Sequence, residues 1–469
     1  MIELYLILIP VLFAAVIVCC RNERNIRCLL IIAALFHLAG VLALLLPGLP
    51  MLHSLPELPA GWLFSDGISQ VVIAVCSGLF FAVSVNLFFW LPAAKRFESS
   101  HATMPSRFFC SALCLFLGTM SLTAFAGNFG LLWVAVEATT LASAPLIAYH
   151  RSKGALEAMW KYLIICSVGI GLALFGTFLL GAALRFSGEE GNLSMLAISR
   201  VKNALDYQWY KAAYLFCLAG YGLKMGLAPF HVWLPDAHSE APGSVSVLLS
   251  GTLLNCAFLG ITRVMGVAPD ALLGFCREFL VAGGVLSLLI AACFIIRQED
   301  FKRMLAYSSI EHMGIIAIFW GLQEQDMALI HLTCHSACKM LLFLTAGNIL
   351  LAYGTRKCAL VNGMFSVMPL TASVWLTGIL LICAVPPSPL FVTELHLIRK
   401  AGPMLGSVIL LLLFVIFCGM TSVAMKMTMG KAENLPLPDA AKCASGLSIL
   451  PALLGILPVA AGIYFIFQL

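Results

Sequence analysis

Charge is what this chain of 469 residues has least of: Asp, Glu, Lys and Arg make up 10% of it, where soluble globular domains carry about 25%. A water-facing surface is not built from so few, so a soluble fold is excluded. Metal and disulfide frameworks are missing too. There are 17 cysteines, yet no CxxC pair and no spaced Cys/His quartet, which argues against structural zinc and iron–sulfur clusters. Cys19 with Cys20, Cys110 with Cys114 and Cys334 with Cys338 lie inside apolar runs and read as small packing residues. The net charge of +5 comes from basic residues scattered over short connections rather than gathered in a patch, so nucleic acid is not an expected partner. The apolar run at 2–20 has no basic segment before it and no small-residue cleavage site after it, and is read as a retained first span. No connection can house a catalytic domain. The longest, near 185–209, carries Glu189, Glu190, Arg200, Lys202 and Asp206 in mixed sign.

Hydrophobicity is what is there in excess, at 61% of residues and a mean hydropathy of +1.01. At about 30 residues per span and connection, the length suits a dozen helices or more. Runs able to cross the hydrocarbon lie near 2–20, 27–47, 68–91, 108–127, 129–149, 159–184, 210–235, 243–266, 271–296, 302–321, 327–353, 365–399, 404–430 and 447–467. They lack period-two alternation, which excludes a barrel. The expected fold is therefore an all-α membrane protein of about 14 transmembrane helices. Counting Lys and Arg on alternate connections places roughly 17 on one side and roughly eight on the other, which orients both termini away from the cytoplasm.

Two spans carry helix breakers at mid-length: Gly220, Gly222, Gly226 and Pro229 in the seventh, and Pro386, Pro387 and Pro389 in the twelfth. Interruptions at matching places in two halves point to a repeat around a central ion path, since the freed carbonyls need new partners. Spans 4–8 and 9–13 are expected to form it, and an odd repeat length inverts the halves. The expected divisions are 1–107 for the N-terminal spans, 108–266 and 267–430 for the two five-helix repeats, and 431–469 for the C-terminal helix.

Ionisable groups inside spans cost several kcal/mol even on the gentler scale, so each needs a partner, a cavity or a role. Glu137 lies in the fifth span, Lys224 beside the seventh-span break, Glu311 and His312 in the tenth, and Glu394 after the twelfth-span break. In the eleventh, His331, His335 and Lys339 follow one another at steps of four, keeping them on one helix face about 6 Å apart in rise. Water can bridge such gaps into a proton wire. HxxxH is also half of a metal site, but no nearby carboxylate pair with ligand spacing on a second span supports it, so no metal ligand is expected. The rival for Glu137 and Lys224 is a static buried salt bridge; the preferred reading is a switchable pair, because a nearby carboxylate restores a proton that burial removes from lysine. His231 and His238 are placed to carry a proton from Lys224 to the water-facing end. His37 is given no role.

Leu223–Gly251, LKMGLAPFHVWLPDAHSEAPGSVSVLLSG, resembles the signature of the antiporter-like membrane subunits found in respiratory complex I, Mrp antiporters and membrane-bound hydrogenases. Asp300–Ile316, DFKRMLAYSSIEHMGII, together with Asn255, is most similar to the F-type subunits of hydrogenase-4 and formate hydrogenlyase complexes. The resemblance implies a fourteen-helix inverted repeat with proton half-channels meeting on a central polar axis. It gives Glu137 the role of modulating Lys224, makes Lys339 the eleventh-span lysine and Glu394 the exit group. Many relatives place a lysine where this chain has Asn255, which does not titrate near neutrality.

The resemblance further implies a multi-pass subunit of a prokaryotic cytoplasmic membrane complex, coupling a soluble hydrogenase or dehydrogenase arm to translocation of protons, or of Na+. Other membrane subunits, the redox arm and the lipid bilayer are the expected partners. The chain itself is expected to bind no cofactor, with the nickel–iron centre and iron–sulfur clusters in partner subunits. The alternatives are an Mrp-like Na+/H+ antiporter subunit, a solute transporter with a ligand-sized midplane cavity, and a scaffold whose buried charges only hold helices together.

Overall fold

The computed structural model describes residues 2–46, 61–97, 103–186, 188, 193–432, 436 and 438–466. Glu189 and Glu190 of the longest connection lie outside them. Among the described residues there is no sheet, only isolated bridges such as Leu63 with Ala126.

Among the described residues, eleven helices are long and apolar enough to cross a bilayer. The other three expected spans are the ones the sequence marks as unusual. The tenth, Phe301–Gly321, is long enough but carries Lys302, Arg303 and Glu311. The seventh is split into Tyr207–Met225 and Trp233–Glu240, and the twelfth into Pro369–Ile382 and Pro389–Lys400.

Polar caps set several helix starts. Asn128 accepts from Gly130 N at the fifth span, Asp206 from Gln208 N at the seventh and Asp300 from Lys302 N at the tenth, at 2.8–3.0 Å. At the seventh-span break Gly226 adopts φ 83°, and Leu227 N turns back to Gly222 O at 2.8 Å. The indole N–H of Trp233, from the second half, donates to Leu223 O at 2.9 Å, so a carbonyl freed by the break is satisfied inside the membrane. In the twelfth, Ser388 Oγ donates to Leu381 O at 2.6 Å and Pro389 begins the second half.

The repeat is visible in which helices touch. In the first half the fourth span packs on the fifth, the fifth on the sixth, the sixth on the seventh, and the eighth closes onto the fourth, fifth and seventh; spans 9–13 reproduce those pairings one for one. The third span lies against the eighth and eleventh, and the fourteenth against the eleventh and twelfth. Three details differ from the sequence expectation. The eighth span contains a π-helical turn at Leu249–Leu253. A short helix, Met364–Val367, precedes the twelfth. The fourteenth starts earlier, as Pro438–Leu447 followed by Ile449–Ile466.

Candidate functional site

Lys224 is fully buried one residue short of the end of the first half of the seventh span. Its ammonium donates to Thr140 Oγ1 and to the Tyr162 hydroxyl, both at 2.7 Å. It stands 4.5 Å from the Tyr162 ring centroid and 5.8 Å from that of Trp233. Two hydroxyls and two ring faces thus replace the water a buried ammonium loses. Tyr162 passes the network on to Ser143 at 2.7 Å.

Glu137 sits one turn before Thr140 on the fifth span, half-buried, and accepts from Ser167 Oγ at 2.8 Å. Its second oxygen is buried without a protein partner. Among the described ion pairs none joins Glu137 to Lys224, so the static salt bridge weighed from sequence is not formed. Two residues the sequence did not single out, Thr140 and Tyr162, hold the lysine instead, and a third, Ser143, bonds the Tyr162 hydroxyl. Hydroxyls are cheap inside an apolar helix and give no warning in the sequence.

Beyond the break, His231 packs beside the Phe294 and Tyr307 rings with Nδ1 unpartnered, and His238 stacks on Phe343 at 4.8 Å with neither ring nitrogen paired within the protein. The join between the halves is direct. Asn255, just past the π-helical turn, donates from Nδ2 to Gly251 O at 2.7 Å and to Ser336 Oγ of the eleventh span at 3.0 Å. Ser250 meets Ser309 of the tenth at 2.8 Å.

In the second half Lys339 is fully buried and donates to Leu305 O at 2.6 Å and to Ser308 Oγ. Glu311 lies one turn beyond Ser308 and is also buried. His331, His335 and Lys339 share one unbroken helix, Gln325–Tyr353. His312 Nδ1 approaches His331 Nε2 to 3.0 Å, His331 Nδ1 lies 2.8 Å from Thr393 Oγ1, and the His335 ring is 5.0 Å from that of His312. Glu394 completes the group: one ligand atom from each of His312, His331 and Glu394 lies within 4.8 Å of the others. This group takes in His331 but not His335, so it is not the HxxxH pair weighed from sequence; its one carboxylate comes from the twelfth span.

Charges at the span ends pair more conventionally. Arg263 makes two bonds to the Asp66 carboxylate at 2.6 and 2.8 Å and one to Ser69 at 2.6 Å. Burial alone would raise the Asp66 carboxyl, but its hydrogen bonds to Arg263 and that guanidinium's charge hold it below its ordinary value. A cavity of about 520 Å³ beside this pair is lined by Asp66, Arg263, Arg277, Trp320 and Gln323, and none of Glu137, Lys224, Lys339 or Glu394 borders it. Space of this kind at the helix ends is not the midplane pocket a solute transporter calls for.

Buried charge held by hydroxyls, two broken spans and a repeated pairing of helices coincide with a known family pattern. The profile of NADH:quinone oxidoreductase/Mrp antiporter transmembrane proteins matches residues 126–422. This chain belongs to that family. Within it, the chain is 36% identical over 352 residues to the hydrogenase-4 component F homolog of Methylacidiphilum infernorum, covering 73% of each. Its fold is similar to a chain of the membrane-bound sulfane sulfur reductase, an archaeal respiratory membrane complex, with TM-score 0.85, 21% identity and coverage of 98% of this chain and 93% of that one. It is similar as well to a chain of the Mrp complex of Dietzia sp. DQ12-45-1b, with TM-score 0.81, 18% identity and coverage of 99% and 95%. The matched region of the NADH:quinone oxidoreductase/Mrp antiporter family takes in each of the ionisable residues described within the broken spans and between them.

Proposed function

We propose that this chain is the proton-translocating membrane subunit of a redox-driven respiratory complex of the hydrogenase-4/formate hydrogenlyase or complex I-like kind. Protons pass along Glu137, Lys224, His231, His238, Glu311, His312, His331, His335, Lys339 and Glu394, with Asn255 and water bridging the two halves. The observation that carries this reading is the succession of buried polar groups in both repeats: Lys224 with Tyr162 and Thr140, Asn255 with Ser336, and the Lys339 and His312–His331 groups. A scaffold needs charges that are fully paired, whereas His238 and His335 keep both ring nitrogens free of protein partners. Redox chemistry belongs to partner subunits holding a nickel–iron centre and iron–sulfur clusters on a soluble arm.

The basic connections orient both termini away from the cytoplasm of a prokaryotic cell, in its cytoplasmic membrane. The divisions expected at 107, 266 and 430 are part of this reading, and the matched helix pairings support it. The second reading, an Mrp-like Na+/H+ antiporter subunit, is favoured by the likeness to the Mrp complex chain.

One experiment separates them. The tagged chain is purified from membranes, its co-purifying subunits are identified, and the complex is reconstituted in vesicles with an internal pH dye. Hydrogenase or dehydrogenase subunits with substrate-driven proton movement support the first reading. Antiporter subunits alone, with proton movement requiring a Na+ gradient, would replace it with the second.

A further inference from the structure

His312, His331 and Glu394 form a candidate ligand set that does not depend on the proton reading. Thr393 Oγ1 donates its single hydrogen to Leu390 O at 2.9 Å, so toward His331 it acts as acceptor. The contact at 2.8 Å therefore places the proton of neutral His331 on Nδ1 and leaves the Nε2 lone pair pointing at His312. A metal-ligating imidazole has this arrangement: one nitrogen oriented by a neighbour, the other bare. His312 then carries its proton on Nδ1 toward His331, and its Nε2 is buried without a protein partner, as are both nitrogens of adjacent His335. The two facing nitrogens are 3.0 Å apart, close to the roughly 3.3 Å that two imidazoles subtend at a tetrahedral zinc with bonds of about 2.0–2.1 Å. Glu394 keeps 7% exposure while both histidines have none, which puts the way in on the carboxylate side.

We propose that His312, His331 and Glu394 bind a divalent first-row transition metal, Zn2+ foremost, with Thr393 as positioning residue. The two imidazoles and one carboxylate are a borderline-soft donor set that suits Zn2+ and leaves a fourth position open. To ligate, His312 moves its single proton from Nδ1 to Nε2, which has no protein partner, and the hydrogen bond between the rings gives way to two metal–nitrogen bonds. A bound ion occupies groups proposed to relay protons, so zinc occupancy and translocation exclude each other.

The test uses the full chain in its complex, stripped with chelator and titrated with Zn2+ alone by equilibrium dialysis, with X-ray absorption at the zinc edge. One tight equivalent per chain is expected, with a shell of two imidazoles and carboxylate or water oxygen. His331→Gln and Glu394→Gln should each weaken binding more than tenfold. Thr393→Val, which leaves all three ligands in place, should weaken it by about tenfold. Absence of a tight equivalent in the wild-type complex, an oxygen-only shell, or affinity unchanged in both His331→Gln and Glu394→Gln would each overturn the site. None of these readouts involves proton movement, so the metal site and the proton path stand or fall separately.

Discussion

Lys224→Met removes the buried ammonium while keeping an unbranched side chain of similar length in the same space. The wild-type ammonium makes two bonds at 2.7 Å, to Thr140 and Tyr162, each worth about 1.5–3 kcal/mol for a charged donor. Against them stands the cost of burying an ion, several kcal/mol. Both vanish together, so stability in detergent should change by no more than about 2 kcal/mol. Lys224→Ala, by contrast, leaves a cavity and should lose about 2–4 kcal/mol. Function responds differently. With methionine in place, a proton crossing from the fifth-span side to the eighth meets no basic group there, and a unit charge at the centre of an apolar helix costs about 2.5–3.5 kcal/mol on the insertion scale. That is on the order of 100-fold in rate. The complex is reconstituted in vesicles, driven by its redox substrate and followed with an internal pH dye, while turnover with an uncoupler confirms that the redox arm works. Proton movement within about twofold of wild type, in an assembled complex carrying Lys224→Met, would refute the role given to this lysine.

Asn255→Leu removes the bonds to Gly251 O and Ser336 Oγ and should slow translocation by about tenfold with assembly intact, read in the same vesicles. Gly220→Ala puts a Cβ 2.5 Å from Gly169 O and 2.6 Å from Ala173 N, so the sixth and seventh spans must separate; a loss of about 1–3 kcal/mol is expected in thermal unfolding. The Asp66 carboxyl lies below its ordinary value of 3.8 in the fold, so its pairing with Arg263 stabilises fully above about pH 4 and is lost as pH falls through the folded value. Asp66→Asn should therefore lower thermal stability near neutrality and flatten its decline below about pH 4; an unchanged acid limb would remove the ion pair from the account.

The membrane class, the position of nearly every span and the two interruptions were legible in the sequence because they depend on local properties. Hydrocarbon thickness sets how long an apolar run must be, and clustered breakers such as Gly226 with Pro229 and Pro386 with Pro387 interrupt a helix locally. The buried charges were legible for the same reason, since Lys224, Glu311, Lys339 and Glu394 stand out against apolar neighbours. What each of them touches was not. Lys224 finds Thr140 and Tyr162 at sequence separations of 84 and 62, and no composition or periodicity reports which helix faces which. Ser143, Ser336 and Thr393 went unmarked because a short hydroxyl can satisfy itself on its own helix backbone until packing offers something better, and Tyr162 because a lone tyrosine in an apolar span reads as packing. Packing alone put Glu394 beside His312 and His331, paired Asn255 with Ser336 past a π-helical turn, and left Glu137 bonded to Ser167 rather than to the lysine it was expected to govern.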